Sequence, residues 1–427
     1  MIRLSEVNTN FEDTTIDDYK NLTPDIYRNL KNTAKKIKEL NVIHINATPE
    51  GGGVVEILSS QIPLEKSLGI NSHWLFIEAP PEFFDITKQI HNLMQGKNGT
   101  LSEKEKRRYL EINKELGKSL NDYLKQFSSG IVLIHDPQPL PLIQFIPKQF
   151  TSILRLHIDL STPSSTTLDF LKPYIMKYEH VIATNKNYFT CMPWLEQSKR
   201  EVISPGINPF REKNKDLDLE TCQLVISHLG INRTKPIVTQ VSRFDPWKDP
   251  IGVIHAYYMA KNEIPDLQLV LAGLITATDD PEAESVFKEV QKHAKGDHDI
   301  YLFSDPDKVL SSKISNDLFI NALYTTSTVV MQKSIREGFG QTTTEAMWKG
   351  KAVIAGKTIG SMMQIKNNIN GILVTSNEEA AKAIVRLVKD EKLRDKLGKA
   401  AKETVKNKFL IVHPLLDHLK LYSRLVK

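Results

Sequence analysis

Short apolar runs of strand character alternate with helix-compatible stretches along this chain, stop at a turn-rich break, and then begin again. The first series is Val42-Ile43-His44-Ile45, Trp74-Leu75-Phe76-Ile77, Ile131-Val132-Leu133-Ile134, Ile153-Leu154-Arg155-Leu156 and Val181-Ile182-Ala183, with helical patterns such as Val54 to Leu68 between most members. Runs this short and this apolar suit strands buried on both faces, so the alternation predicts a parallel sheet with helices on each side. The break is Ser204-Pro205-Gly206-Ile207-Asn208-Pro209, rich in turn formers. Beyond it, Pro236 to Val241, Leu267 to Leu271, Ile300 to Leu302, Val329 to Met331 and Ala352 to Ala355 repeat the pattern. An α/β fold of two domains facing a cleft follows, with 1–207 and 208–405 as the domains. Residues 406–427 hold a terminal helix, read from His413 to Lys427 and expected to pack back on the first domain. The polar first forty residues carry one further helical stretch, around Ile26 to Leu40. Ligands of such sheets bind beyond the carboxyl ends of the strands, so the residues just after each run deserve the closest reading.

Composition removes several classes of function. A chain of 427 residues with 25% charged and 40% hydrophobic residues is ordinary for globular domains that each bury a core. The net charge of +5 is small, and Lys and Arg are scattered, so no nucleic-acid footprint is present. No run reaches membrane-spanning length, and the start of the chain has no secretory pattern, so a cytoplasmic protein is expected. Cys191 and Cys222 stand far apart and predict neither a disulfide framework nor a thiolate metal site.

Two loops of the second domain carry charge in a suggestive order. Glu337 and Glu345 are eight residues apart in Ser334-Ile335-Arg336-Glu337-Gly338-Phe339-Gly340-Gln341-Thr342-Thr343-Thr344-Glu345. The first lies in the loop leaving a strand; the second lies about one turn inside the following helix. Gly338, Phe339, Gly340, Gln341 and Thr342 form the turn and helix start, whose amides can approach an anion. Carboxylates accept two hydroxyl hydrogen bonds at once, so two of them flanking an anion site suit a sugar and a ribose. Arg243 and Lys248 follow the strand Ile237 to Ser242, with Asp249 a helix cap and Pro250 the first helical residue. A guanidinium fork and a mobile ammonium fit a diphosphate, whose charge grows as a glycosyl bond to it breaks. The common fate of such residues is a solvated surface, and it is the two constellations together that favour a nucleotide-sugar site.

The first domain offers neutral polar groups instead. Gly51-Gly52-Gly53 follows its first strand and opens a helix, where close backbone approach is allowed; Gly52 and Gly53 are the donor-side candidates, and a plain tight turn is the simpler explanation of the motif alone. His135, Asp136 and Gln138 follow the third run, and His157 and Asp159 follow the fourth. A strand-end histidine is more often a structural hydrogen-bonder, yet two of them with nearby acids at one sheet mouth suit an acceptor sugar, and either could move a proton. They lack a third ligand at metal spacing, so no metal is assigned.

With these residues in view, the chain resembles the retaining nucleotide-sugar glycosyltransferases of family 4, and within them the trehalose branch. The resemblance spans nearly the whole chain: Gly51 to Val54, His135-Asp136-Pro137-Gln138-Pro139, His157-Ile158-Asp159-Leu160-Ser161, Val241 to Lys248 and Ser334 to Trp348. It implies a glycosyltransferase B-type fold of two Rossmann-like domains, the donor on the second and the acceptor on the first. It implies transfer from UDP-, ADP- or GDP-glucose to glucose, giving trehalose, in a reaction allowed to be reversible and with no cofactor required. By analogy Arg243 and Lys248 hold the diphosphate, Glu337 the donor glucose and Glu345 the ribose, while Gly53 approaches the phosphates and His157 lies near the transferred glucose. The catalytic group is thus Arg243, Lys248, Glu337 and His157. Partners are small molecules, with a homodimer allowed, and neither nucleic acid nor membrane. Two departures stand out: Ile359-Gly360-Ser361 replaces the usual paired glycines, and Asn208-Pro209 replaces an Asp-Pro pair.

A phosphorylase of the same scaffold, acting with phosphate or glucose 1-phosphate, is the nearest alternative, although it leaves the ribose role of Glu345 idle. A sister transferase with a sugar-phosphate acceptor should add cations in the first domain, where Arg155 is the one placed near the mouth. A dinucleotide oxidoreductase lacks its spaced glycines. A non-catalytic sugar-binding protein has no use for the diphosphate pair.

Overall fold

The computed structural model describes residues 1–9, 14–273, 283–305, 309 and 313–426. It divides into two compact units: unit 1 is Met1–Gly206 with Ile411–Lys427, and unit 2 is Ile207–Leu410. Residues 406–410 therefore fall in unit 2, and the return to unit 1 begins at Ile411.

Unit 1 is a seven-stranded sheet of β1 (Arg3–Glu6), β2 (Asn41–Asn46), β3 (Asn71–Glu78), β4 (Gly130–His135), β5 (Phe150–Leu156), β6 (His180–Ala183) and β7 (Arg200–Val202) in the spatial order β1-β3-β2-β4-β5-β6-β7. All pairings are parallel except β1 with β3. The central strands are apolar on both faces: Ile43, Ile45, Val132, Ile134, Ile153 and Leu154 are all fully buried. The edges β1 and β7 lack that double burial, so their sequences, Arg-Leu-Ser-Glu and Arg-Glu-Val, carry no continuous apolar run and went unread. The terminal helix Val412–Leu425 packs on the helix Pro24–Ala34; Leu415, Leu419 and Tyr422 are buried on the first, and Leu30 and Ala34 on the second. Each buried leucine contributes roughly 1.5–3 kcal/mol to that docking.

Unit 2 is an all-parallel sheet of β8 (Ile237–Val241), β9 (Gln268–Ala272), β10 (Ile300–Phe303), β11 (Val329–Gln332), β12 (Val353–Gly356) and β13 (Ile372–Val374) in the order β10-β9-β8-β11-β12-β13. Its core gathers Val238, Leu269, Leu271, Met331 and Ile354 from the sheet with Val253, Tyr257, Ile384 and Leu387 from the covering helices. Ile372 to Val374 form the edge strand β13, beyond the runs read from the sequence.

Each sheet winds first one way and then the other. In unit 1 the winding reverses between β2 and β4, and in unit 2 between β8 and β11. Loops at such a reversal part to opposite sides and leave a crevice at the carboxyl ends. The four loops so defined contain most of the residues singled out above.

Candidate active site

In unit 2 the loops after β8 and β11 are tied together from beneath. Buried Gln240 donates from Nε2 to the carbonyl of Lys248 at 3.0 Å and accepts at Oε1 from the amide of Lys333, also at 3.0 Å. The amide of Ile335 donates to the carbonyl of Trp247 at 2.9 Å. This stitching brings Lys248 and Glu337, 89 positions apart in the chain, to 2.6 Å between Nζ and Oε2, with Ser334 Oγ donating to the same oxygen at 3.1 Å. Both side chains keep some exposure, 21% for Lys248 and 13% for Glu337, so a ligand can reach the pair. Arg243, in the same loop after β8, is one-third exposed, with Nη2 3.9 Å from Asp245 Oδ2. Asp249 caps the helix Pro250–Lys261 through the amide of Gly252 at 3.0 Å, and its other oxygen is paired with Lys333 Nζ.

Glu345 has a different setting. It lies one turn inside the helix Gln341–Trp348 and is 2% exposed, with Oε1 2.6 Å from Lys213 Nζ and Oε2 accepting from the Tyr324 hydroxyl at 3.3 Å. Gly338 and Gly340 are buried, Gln341 and Thr342 half-buried. The ring of Phe339 packs on Phe409 with centroids 5.5 Å apart, so that side chain belongs to the support of the loop. Gln364 donates to the carbonyls of Phe339 and Gly340, at 2.6 and 3.1 Å. Gly360 donates to the carbonyl of Glu337 at 3.1 Å, and a Cβ there would meet that oxygen at 2.6 Å. The single glycine of Ile359-Gly360-Ser361 therefore sets how closely its helix approaches the glutamate loop.

In unit 1 the loop after β2 ends in Gly51 and Gly52, with φ of 71° and 81°, conformations that favour glycine. The exposed helix start at Gly52 and Gly53 has no side-chain cap. The loop after β4 is held by the helix Glu103–Leu124: Tyr109 donates its hydroxyl to the carbonyl of Pro137, and Asn113 Nδ2 donates to that of Gln138 at 3.2 Å. Asp136 adopts φ of 61° and accepts the amide of His157 at 2.7 Å; Asp159 accepts the amide of Ser161 at 2.8 Å. Both acids are buried and organise backbone. Gln138 is half-buried, and its Oε1 has no hydrogen-bond partner among the described residues. His135 is 2% exposed and lies in a file of rings, with Nδ1 2.9 Å from His157 Nε2 and Nε2 3.1 Å from His44 Nδ1.

A trehalose synthase of Pyrococcus horikoshii is 38% identical over 413 residues, which cover 96% of each chain. Residues 44–190 match the family model of the trehalose synthase N-terminal domain, and residues 225–404 that of glycosyl transferases group 1. This chain belongs to the trehalose synthase family. It is a glycosyltransferase, and its fold is of the glycosyltransferase B type. A solved trehalose-6-phosphate synthase, OtsA, superposes with a TM-score of 0.73 at 14% identity, covering 91% of this chain and 99% of the other. A trehalose phosphorylase of Pleurotus pulmonarius is 25% identical, over 86% of this chain but 55% of its own length.

Burial controls protonation among the unit 1 candidates. It pushes the Asp136 carboxyl up to about 7, against the opposing influence of the His157 amide and the Arg155 charge. It holds His135 and His157 well below the ordinary imidazole value, with the Arg155 charge acting in the same direction on both and the neighbouring rings adding to it at His135. Arg155 itself does not stand at a mouth: it is 2% exposed and donates to His418 Nε2 at 2.7 Å and to the carbonyl of Ile203 at 3.4 Å. It therefore ties the terminal helix to the sheet, because a buried guanidinium must find acceptors wherever the fold supplies them.

Several supporting residues were not legible beforehand. Lys213, Gln240, Lys333, His44 and Glu65 reach the site only through pairings between distant segments. Gln240 and His44 left a trace, each as a polar residue inside a largely apolar strand run. A hollow of about 610 Å³ among Asn41, Asn71, His73 and Lys38 lies at the amino ends of β2 and β3, the wrong end of the sheet for these loops. Among the described residues no group of three or more His, Cys, Asp or Glu is arranged to hold a metal ion, and no helix is long and apolar enough to cross a membrane.

Proposed function

We propose that this chain transfers glucose with retention from a nucleoside diphosphate glucose to glucose, forming trehalose. The observation that carries the reading is the Lys248–Glu337 contact at the winding reversal of unit 2, in a chain 38% identical to a trehalose synthase over 96% of its length. The ion pair acts as a placeholder. A bound donor supplies Lys248 with a phosphate oxygen and Glu337 with glucose hydroxyls, so both charges keep partners when they separate. Arg243 adds a second cation to the diphosphate. As the anomeric C–O bond breaks, negative charge moves onto the phosphate, and cations already in place stabilise it more than they stabilise the ground state. The acceptor hydroxyl forms the new bond on the face the phosphate leaves, and its proton passes to a phosphate oxygen, so no carboxylate nucleophile is required.

Glu345 can accept ribose hydroxyls with Lys213 and Tyr324 in place, because a carboxylate has about four lone-pair positions. In this reading the amides from Gly338 to Thr342, and those of Gly52 and Gly53, bind donor phosphates. His135, Asp136, Gln138, His157 and Asp159 shape the acceptor side, and His157 Nδ1 and Gln138 Oε1 have no hydrogen-bond partner among the described residues. Both cysteines are free, which suits a cytoplasmic reaction. A homodimer is part of the same proposal.

The test is incubation with glucose and UDP-, ADP- or GDP-glucose in turn, with and without EDTA, followed by NMR identification of the disaccharide linkage. A non-reducing α,α-1,1 product with release of the diphosphate is expected. Turnover that needs inorganic phosphate and no nucleotide would replace the synthase with the phosphorylase reading.

A further inference from the structure

Behind His157 runs a file of buried polar groups that the transfer chemistry leaves unexplained. Glu65, in the helix Gly52–Ser67, is fully buried and surrounded by donors: Gln61 Nε2 donates to Oε1 at 2.8 Å, and Ser72 Oγ donates to Oε2 at 2.6 Å. His44 Nε2 lies 3.2 Å from the same Oε2. From there the contacts run His44 Nδ1 to His135 Nε2 at 3.1 Å and His135 Nδ1 to His157 Nε2 at 2.9 Å, with successive rings stacked at 5.4 and 5.2 Å. The last nitrogen, His157 Nδ1, is buried and has no partner among the described residues.

Neutral imidazole has one N–H and one bare nitrogen, so each contact in the file dictates the next. The carboxylate takes the N–H of His44 on Nε2, leaving Nδ1 bare. That bare nitrogen takes the N–H of His135 on Nε2, whose Nδ1 in turn takes the N–H of His157 on Nε2. His157 is left with an unprotonated Nδ1. Burial and the Arg155 charge favour one proton per ring in His135 and His157, as this sequence requires.

We propose that Glu65, His44 and His135 are positioning residues that fix the tautomer of His157, so that its Nδ1 meets the substrate as a hydrogen-bond acceptor for a sugar hydroxyl. The proposal rests on the sugar-transfer reading for its ligand and not for the tautomer itself. An apolar pocket would pack as well, whereas an ordered file of rings ending in an unpaired acceptor serves a hydroxyl donor. A glutamate three residues removed from contact with substrate then governs specificity.

The test is long-range ¹H–¹⁵N correlation NMR of the full chain labelled at histidine, with the His157 signals assigned by His157→Gln. Wild type should show Nδ1 unprotonated and Nε2 protonated, and saturating trehalose should shift the Nδ1 signal in the direction of an accepted hydrogen bond. Glu65→Gln keeps the volume but can donate as well as accept, so it should protonate a substantial fraction of His157 at Nδ1. Its kcat/KM should fall about 10–100-fold, as for a misset hydrogen bond to substrate; Glu65→Asp should restore the tautomer. Ser72→Ala, which removes a donor to Glu65 without reversing the file, should leave the tautomer unchanged. A protonated Nδ1 in wild type, an unchanged tautomer in Glu65→Gln, or an Nδ1 signal unmoved by trehalose in turnover-competent protein would each overturn the proposal. The tautomer is read without turnover, so a chain that fails to make trehalose yet shows the expected nitrogen pattern refutes the reaction and not the file.

Discussion

The loops at the winding reversal of unit 2 carry full charges in matched pairs, Lys248 with Glu337 and Lys333 with Asp249, with Lys213 and Glu345 behind them. In unit 1 the carboxyl ends of β4 and β5 carry imidazoles that burial holds neutral and a carboxyl pushed up to about 7. The same topology thus supports two electrostatic designs. A diphosphate needs permanent cations that keep counter-ions until it arrives. A sugar needs hydrogen bonds of defined direction, and fixed charge would only raise the desolvation cost of binding it.

The sharpest way to break this contrast is to remove one charge from unit 2. Lys248→Ala should lower glucosyl transfer by about 10²–10³-fold and weaken binding of the nucleoside diphosphate, measured by steady-state kinetics and calorimetry. An unchanged rate would mean that the pair is structural. Lys213→Ala probes the interior member of the set. It strands Glu345 in a site 2% exposed, and the cost in denaturant-midpoint stability should be about 3–5 kcal/mol, whereas Lys213→Met with Glu345→Leu should be close to neutral. Equal losses in both variants would show that packing, and not the unpaired charge, sets the cost.

Gly360→Ala tests whether backbone approach or charge positions Glu337. The added Cβ meets the Glu337 carbonyl at 2.6 Å, so a loss of about 1–3 kcal/mol is expected, together with slower transfer at unaltered secondary structure. Wild-type kinetics would show that the loop yields without moving its carboxylate.

The last effect belongs to unit 1 and depends on pH. The folded carboxyl of Asp136 is raised from 3.8 to about 7. Between those values the native state holds a proton that the unfolded chain has lost, so this group stabilises fully at low pH. Its contribution is lost as pH rises through about 7. Asp136→Asn keeps an acceptor for the His157 amide and tolerates φ of 61°. The difference in stability between wild type and variant should therefore decline from pH 4.5 to 7.5, by about 1.4 kcal/mol per pKa unit of the shift. The lowered histidines slope the other way in both proteins and cancel in the difference. A flat difference would remove Asp136 from the neutral set.

The candidate residues of the two units were not equally legible in the sequence. Arg243, Lys248 and Glu337 were legible because each follows a strongly apolar central strand, and a rim position after such a strand is fixed by local pattern alone. His135 and His157 were legible for the same reason. Arg155 was misplaced: a strand residue points to one face or the other, and the pattern of Ile153 to Leu156, apolar on both sides, does not reveal that its one cation is turned inward to His418. The edge strands β1 and β7 were missed because edges need no continuous apolar run, and β13, apolar throughout, was missed because it is three residues long.

By itself the sequence determined two α/β units, the order of their central strands along the chain, and which loops carry cations, carboxylates and histidines. Those properties follow from apolar period and turn chemistry, which act over a few residues. The tertiary structure alone decided the partners: Lys213 for Glu345, Gln240 beneath both charged loops, and Glu65 at the head of a histidine file ending at His157. These contacts depend on which strands lie side by side, and strand order is settled by packing whole sheets, so no local pattern encodes it.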